Sequence, residues 1–152
     1  MADHGFRRIA VVGAGTMGRG IAQLFVQGGL DTQLFDLNAA QSREAAQFIA
    51  RMLRRRAEKA GRSSAEAEAE IAKLSVADSI GALAGCDLVV EAVAEKVEIK
   101  QALFQSLEAV LPPGAVLATN TSSLMVTAIA AGCARPEQVA GYHFFNPVPL
   151  MK

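Results

Sequence analysis

Four glycines crowd one short segment near the start of the chain, "VVGAGTMGRGIAQLF" (residues 11–25). They occupy positions 13, 15, 18 and 20, directly after the apolar run of residues 9–12. Glycine is costly inside regular structure, so a cluster between an apolar run and a helical pattern indicates that another group must approach the backbone closely. The segment therefore predicts a strand, a tight turn and a helix in close contact.

Residues 13–18 of this segment form the pattern G-x-G-x-x-G. The pattern follows a predicted strand, opens a predicted helix and precedes an acid, Asp36, at the end of the next predicted strand. In such a unit the first glycine allows the turn, the second lets a pyrophosphate reach the backbone amides, and the third lets helix and strand pack closely. Amides at the helix N-terminus then hold the diphosphate. The predicted cofactor loop comprises Gly13, Ala14, Gly15, Thr16, Met17 and Gly18.

Asp36 predicts which dinucleotide binds. Its carboxylate can accept hydrogen bonds from both hydroxyls of an adenine ribose, and its charge would repel a 2′-phosphate. Leu37 and Asn38 offer no compensating cation. The sequence therefore favours NAD over NADP. The alternative is a glycine turn beside a solvated aspartate at a strand end. The combination of strand, glycine loop, helix and acid favours the dinucleotide site over this alternative.

The rest of the chain alternates apolar runs with helical patterns. Alternation of this kind predicts a mainly parallel sheet with right-handed crossovers and helices on both faces. Strands are expected at residues 8–12, 32–36, 86–93, 115–119 and 139–143. Helices are expected after the glycine loop, at 39–60, at 65–74, along the stripe Ile99, Leu103, Leu107, Val110 and Leu111, and at 127–131. The predicted fold class is α/β, Rossmann-type and doubly wound, with a helical hairpin insertion at residues 39–74.

Size and charge narrow the function classes. A chain of 152 residues, 51% hydrophobic, is expected to form one domain. Fifteen basic and fifteen acidic side chains cancel, which argues against nucleic acid or membrane as a partner. No apolar stretch approaches the roughly 20 residues of a membrane span, and a strand starting near Arg7 leaves no room for a signal peptide. The separated cysteines Cys86 and Cys133 fit a reducing compartment, so we expect a cytoplasmic protein, and no metal site is predicted.

Two polar clusters follow predicted strands. One is Glu91 and Glu95 with Lys100, and the other is residues 120–123, "NTSS". Both should lie at the carboxyl edge of the sheet, where ligands of such folds bind. Spacing alone also allows a simpler interpretation, because acids and serines are common at the beginnings of helices.

His143 ends the last predicted strand, in "GYHFFNPVP", at the same expected edge. An imidazole is an effective base for removing a proton from an alcohol while a nicotinamide takes the hydride. A lone histidine is more often structural, and a Ser-His hydrolase using Ser122 is an alternative. No G-x-S-x-G elbow surrounds that serine, and a hydrolase would leave the dinucleotide pattern unused.

Four segments together resemble the NAD-binding domain of the L-3-hydroxyacyl-CoA dehydrogenases. They are "VVGAGTMGRGIAQ", "DLVVEAVAEKVEIKQALF", "ATNTSSL" and "GYHFFNPVPLMK". The likeness extends over almost the whole chain and in the same order. It implies that residues 1–152 form one NAD-binding domain. Enzymes of this family oxidise the substrate L-3-hydroxyacyl-CoA to 3-oxoacyl-CoA with NAD, as in fatty-acid β-oxidation.

The resemblance also implies a role for individual residues. Glu95 and Lys100 would lie near the second ribose and the nicotinamide. Ser122 would bond the substrate 3-oxygen and the cofactor, His143 would be the general base, and Asn146 would place nicotinamide or substrate. Family members contact CoA phosphates from the helical arm, which here offers Lys59, Arg55 and Arg56. A solvated helix face is the alternative for those three.

In the family, a glutamate shortly beyond the equivalent of Lys152 pairs with the histidine, and a following helical domain completes the acyl pocket and a homodimer interface. We therefore expect the 152-residue chain to bind NAD with little or no turnover. It should also self-associate or expose an apolar patch beside its last strand. Two alternatives remain at this point. One is an L-gulonate-type dehydrogenase, related to a lens crystallin, on the same scaffold, and the other is a non-catalytic NAD-binding module.

Overall fold

A computed structural model describes residues 5–150 and contains a six-stranded parallel sheet flanked by helices. The sheet order is β3-β2-β1-β4-β5-β6, and every neighbouring pair is parallel. The strands are β1 Arg8–Val12, β2 Asp31–Phe35, β3 Leu74–Val76, β4 Leu88–Glu91, β5 Val116–Thr119 and β6 Val139–Gly141. The α-helices are α1 Thr16–Gln27, α2 Ala39–Lys59, α3 Ser64–Ile71, α4 Val97–Glu108 and α5 Val126–Ala130. The prediction of a doubly wound α/β fold is confirmed.

The central strand β1 shows why helices cover both faces of the sheet. Ile9 and Val11 belong to the core cluster that includes residues of α1 and α2, whereas Ala10 and Val12 belong to the cluster that includes residues of α4 and α5. Successive side chains of a strand point to opposite faces, so an uninterrupted apolar strand needs cover on both. The chain thus folds into three layers.

The strand order reverses between β1 and β4, and this places the ligand crevice. Chain connections run outward from β1 through β2 to β3, then return to β4 and continue to β6. In such sheets the crevice lies at the carboxyl ends of the two strands where the direction changes. The glycine loop follows β1 and therefore sits at that point.

The predicted helical hairpin is confirmed as α2 and α3. The side chain of Asn38 caps α2 by accepting from the amides of Ala40 and Gln41, and Gly61, with φ +68°, follows its end. Ser63 and Glu66 form the predicted capping box at the start of α3. Hydrogen-bonded caps of this type stabilise helix ends that lack intrahelical partners.

Two local predictions were wrong. The second hairpin helix was expected to reach Leu74, but it ends at Ile71 and Leu74 begins β3, a three-residue edge strand paired with β2. Ile99 was placed in the packed stripe of its helix but is 44% exposed, while Phe104 of the same helix is fully buried. The other helix and strand ends differ from the predicted ones by a few residues, as is usual.

The segment after β6 packs back against α1. Phe144 contacts Phe25 edge to face, with ring centroids 6.1 Å apart, and Val148 is 3% exposed in the same core cluster. Tyr142, Phe145 and Leu150 are exposed on this segment. The expectation of exposed apolar side chains beside the last strand therefore agrees with the structure. Among residues 5–150, no helix is both long and apolar enough to cross a membrane.

Candidate dinucleotide and substrate site

The glycine loop makes a tight turn at the carboxyl end of β1. Gly13 has φ +101°, and a Cβ there would lie 2.5 Å from the carbonyl oxygen of Ala92. A Cβ on Gly18 would overlap the carbonyl oxygen of Gly13. No other residue type fits these two positions without moving the backbone. Both predicted roles, the turn and the close packing of helix and strand, thus have a steric basis.

Asp36 is tied to the loop. Its Oδ2 accepts from the amide of Ala14 at 2.8 Å, and its Oδ1 accepts from the amide of Asn38 at 2.8 Å. Each carboxylate oxygen has two acceptor sites, so the group can still accept from ligand hydroxyls. The carboxylate is thereby fixed beside the turn before any ligand arrives.

The space around the turn suits a dinucleotide. Gly15 is the N-cap of α1 and provides no side-chain cap, unlike Asn38 and Ser63 at the next two helices. Within 4 Å, a Cβ on Gly15 would meet only the side-chain Nε2 of Gln41, at 3.8 Å. An anion could therefore come close to Gly15 and satisfy the first N–H groups of α1, which lack intrahelical partners.

A mainly apolar cavity of about 670 Å³ adjoins the turn on the Asp36 side. Its lining includes Asp36, Val93, Ile99 and Leu103. Ile99, the first residue of the predicted apolar stripe, lines this cavity. An apolar space beside a carboxylate that can accept from ribose hydroxyls suits an adenine ring.

A second cavity, of about 370 Å³, collects the residues predicted for chemistry. Its lining is Met17, Ala92, Val93, Glu95, Asn120, Ser122, His143, Phe144, Phe145 and Asn146. These residues come from the start of α1 and from the loops after β4, β5 and β6. The carboxyl ends of β4, β5 and β6 thus bring Glu95, Ser122, His143 and Asn146 together, next to the glycine loop.

Lys100 is fully buried at the base of the site, between two carboxylates. Its Nζ lies 2.5 Å from Oε1 of Glu91 and 3.0 Å from Oε1 of Glu95. The side chain of Glu91 is also fully buried and accepts from the hydroxyl of Thr119 at 2.7 Å and the amide of Val93 at 2.6 Å. A buried ion pair needs such extra hydrogen bonds to offset desolvation.

Glu95 links this buried cluster to the cavity, since its side chain is 46% exposed. Its Oε2 accepts from the hydroxyls of Thr121 at 2.6 Å and Ser123 at 3.2 Å. The resemblance placed both Glu95 and Lys100 near the cofactor. The structure gives only Glu95 direct access, so any role of Lys100 toward a ligand would act through Glu95.

The pKa of Glu95 predicts one contribution to acid unfolding. Desolvation raises it, but hydrogen bonds from Thr121 and Lys100, with the lysine charge, outweigh that effect and leave the pKa below its usual 4.5. A carboxyl whose folded-state pKa is lowered stabilises the fold above the unfolded-state value and loses that contribution as pH falls through the folded-state value. We expect Glu95→Gln to flatten the dependence of the melting temperature on pH below about 4.5. Parallel curves for the variant and the natural protein would contradict this.

The three predicted CoA residues lie elsewhere. Arg55, Arg56 and Lys59 are exposed on α2, outside the cavity of His143, and Arg56 pairs with Glu70 at 3.3 Å. Their proposed role awaits a test.

Sequence reasoning missed several residues around the site. Arg19 and Arg51 line a groove of about 550 Å³ that reaches Gly15, and the Arg19 guanidinium lies 3.9 Å from the ring centre of Phe48. The sequence Gly18-Arg19-Gly20 could have indicated that Arg19 lies near the site, because Arg19 directly follows the third glycine of the loop. Nothing in the local sequence signalled that Thr119 would hold Glu91.

The comparisons with known proteins agree with this geometry. Residues 8–152 match the family described as "3-hydroxyacyl-CoA dehydrogenase, NAD binding domain". The 3-hydroxyadipyl-CoA dehydrogenase of Escherichia coli is 44% identical over 144 residues, which are 95% of this chain and 30% of that protein. The 3-hydroxybutyryl-CoA dehydrogenase of Bradyrhizobium diazoefficiens is 38% identical over 146 residues, covering 96% and 50%. A crystal structure of 3-hydroxybutyryl-CoA dehydrogenase from Escherichia coli superimposes with a TM-score of 0.92 at 43% identity, over 97% of this chain and 31% of that one.

The fold and the site define a Rossmann-type NAD-binding domain. The chain belongs to the 3-hydroxyacyl-CoA dehydrogenase family, as the match over residues 8–152 shows. It spans 30% and 50% of the length of these two curated relatives.

Proposed function

We propose that the protein carrying this chain oxidises L-3-hydroxyacyl-CoA to 3-oxoacyl-CoA with NAD, and that residues 1–152 are its NAD-binding domain. The observation that carries the proposal is the cavity shared by Ser122, His143, Asn146 and Glu95 beside the glycine loop. An NAD-binding module without chemistry would need neither the serine nor the histidine in that cavity.

Each residue of this cavity has a separate role in the proposed oxidation of an alcohol. NAD supplies an acceptor for the hydride that leaves carbon 3 of the substrate. A ring nitrogen of His143 takes the hydroxyl proton, and the hydroxyl of Ser122 donates a hydrogen bond to the same oxygen. The Asn146 amide is suited to hold the nicotinamide carboxamide or the substrate, and Glu95 is suited to accept from ribose hydroxyls. In the reverse direction, His143 returns the proton to the 3-oxo group.

The cofactor loop and Asp36 support NAD as the dinucleotide. We propose that the amides from Gly13 to Gly18 hold the diphosphate and that Asp36 accepts from the adenine ribose. Its fixed negative charge disfavours a 2′-phosphate. Lys100 would act through its buried ion pair with Glu95, which keeps that carboxylate charged and in place.

The acyl-CoA substrate is supported by the relatives, which are named for acyl-CoA substrates. On this chain we assign Lys59, Arg55 and Arg56 to the CoA phosphates, because cations on an exposed helix can approach a flexible polyanion. We further propose that a helical partner domain packs on the exposed residues Tyr142, Phe145 and Leu150, and that the complete protein is a homodimer. We also propose a reducing, cytoplasmic compartment, in which Cys86 and Cys133 remain free thiols.

The test is oxidation of NADH with acetoacetyl-CoA by the full-length gene product, followed by absorbance. We expect turnover of about 1–10³ s⁻¹, typical of enzymes, with NADPH a poor replacement. The 152-residue chain, measured in parallel, should bind NADH and turn over little or none. Oxidation of L-gulonate with NAD, without activity on acetoacetyl-CoA, would instead support the sugar-acid alternative. NADH binding with no turnover of either substrate would support the non-catalytic module.

A further inference from the structure

The segment that carries His143 and Asn146 is attached to the domain at two points. On the side of His143, the amide of Phe144 donates to Oδ1 of Asn120 at 2.8 Å. On the side of Asn146, Val148 is 3% exposed and packs into the core cluster that contains residues of α1. Asn146 lies between these two attachments and His143 immediately precedes the first. The position of the segment therefore depends on how closely Val148 approaches α1.

Gly20 sets that approach. It is buried on α1, and a Cβ built there would lie 3.1 Å from Cβ and 3.3 Å from Cγ2 of Val148, and 3.6 Å from Cδ of Pro149. Carbon atoms pack favourably at about 3.5–4.0 Å, so any side chain at position 20 would push the segment outward. The turn and the helix-strand contact are already explained by Gly13 and Gly18. The fourth glycine of the opening segment thus makes room for the end of the catalytic segment.

We propose that Gly20 is a positioning residue for His143 and Asn146. The helix whose first amides face the diphosphate is the same helix against which the segment of His143 is seated. One rigid element, α1, thereby fixes the distance between the cofactor and the base. This inference rests on the proposed function, in which His143 is that base.

Substitution at position 20 should separate positioning from folding. Alanine is favoured over glycine in a helix interior, so the strain of Gly20→Ala falls on the contact with Val148. Gly20→Val increases the displacement. Because a misplacement of about 1 Å can cost about a hundredfold in rate, small displacements are sufficient for a measurable effect.

The experiment uses the full-length gene product with acetoacetyl-CoA and NADH. We expect kcat to fall about tenfold in Gly20→Ala and about a hundredfold in Gly20→Val. The dissociation constant of NADH, measured by fluorescence without acyl-CoA, should change much less than kcat, because the loop amides and Asp36 keep the contacts that we assign to the diphosphate and the adenine ribose. Gly114→Ala is the matched control, since a Cβ there meets nothing within 4 Å, and it should leave kcat and NADH binding unchanged.

A second substitution tests the contact itself. In the Gly20→Ala background, Val148→Ala removes the atom 3.3 Å from the new methyl group. Relief of part of the clash should recover kcat at least about threefold over Gly20→Ala alone. If Gly20→Val fails to fold, Gly20→Ala and this rescue decide the question.

Three results separate the possible failures. Unchanged kcat in Gly20→Ala and Gly20→Val would overturn the positioning role. A loss of NADH affinity in parallel with kcat would overturn it too, because Gly20 would then act through the cofactor loop. Turnover that survives His143→Ala would overturn the proposed function, whatever the Gly20 variants show.

Discussion

His143→Ala is expected to lower kcat for acetoacetyl-CoA reduction by about 10²–10⁴-fold, the usual contribution of a general acid–base. His143 lines the same cavity as Ser122 and Asn146, so its removal deletes the proton donor without touching the glycine loop. The dissociation constant of NADH should therefore stay the same. Steady-state kinetics, together with fluorescence titration of NADH, measure both quantities on the full-length gene product.

The only other histidine of the chain, His4, lies outside the described residues and provides a control. His4→Ala should keep full activity. Equal losses in the two variants would point to a general effect of histidine removal. A His143→Ala enzyme that retains most of its kcat would exclude this residue as the base.

Lys100→Met is expected to destabilise the fold by about 3–5 kcal/mol, the cost of leaving one partner of a buried ion pair uncompensated. Methionine keeps much of the volume but removes the cation, and Glu91 is then fully buried as a lone carboxylate. Denaturant unfolding, followed by circular dichroism, gives the difference in free energy of unfolding. Glu95, which Lys100 contacts at 3.0 Å, should also lose its fixed position, so NADH affinity should fall.

Two variants separate burial from charge in this result. Lys73→Met removes an exposed lysine that pairs with Asp31 at 3.1 Å, and it should cost at most about 1 kcal/mol. The double variant Glu91→Gln/Lys100→Met should recover much of the stability, since a neutral amide can still accept from the Val93 amide and bond the Thr119 hydroxyl. Equal costs for Lys100→Met and Lys73→Met would contradict the buried cluster.

The parts of the molecule that sequence reasoning predicts well are those with local signals. The glycine turn and the Ser63–Glu66 capping box have signals within a few residues of chain, and the structure confirms both. Asp36 lies after β2 as expected, and its role toward a ribose stays a prediction. The strand β3 was missed because three residues on a sheet edge carry almost no pattern of their own. Its pairing with β2 supplies what the local sequence lacks.

The site residues whose roles escaped prediction depend on distant partners. A lysine is normally exposed, and only the fold brings Lys100 between Glu91 and Glu95. Gly20 meets Val148 from near the other end of the chain. Sequence patterns report which residue types are present, but contacts of this kind follow from the packing of whole elements.

Asp36, which we propose as the acceptor for the adenine ribose, also holds the scaffold together, because its two oxygens accept from the amides of Ala14 and Asn38. A redesign that aims at NADP and replaces this carboxylate with a small neutral side chain would therefore also loosen the glycine turn and the entry into α2. Engineers who wish to exchange the cofactor should keep an oxygen acceptor at position 36 and add the cation at position 37, where the side chain of Leu37 is 92% exposed. The proposed preference for one dinucleotide and the order of the loop thus depend on the same carboxylate.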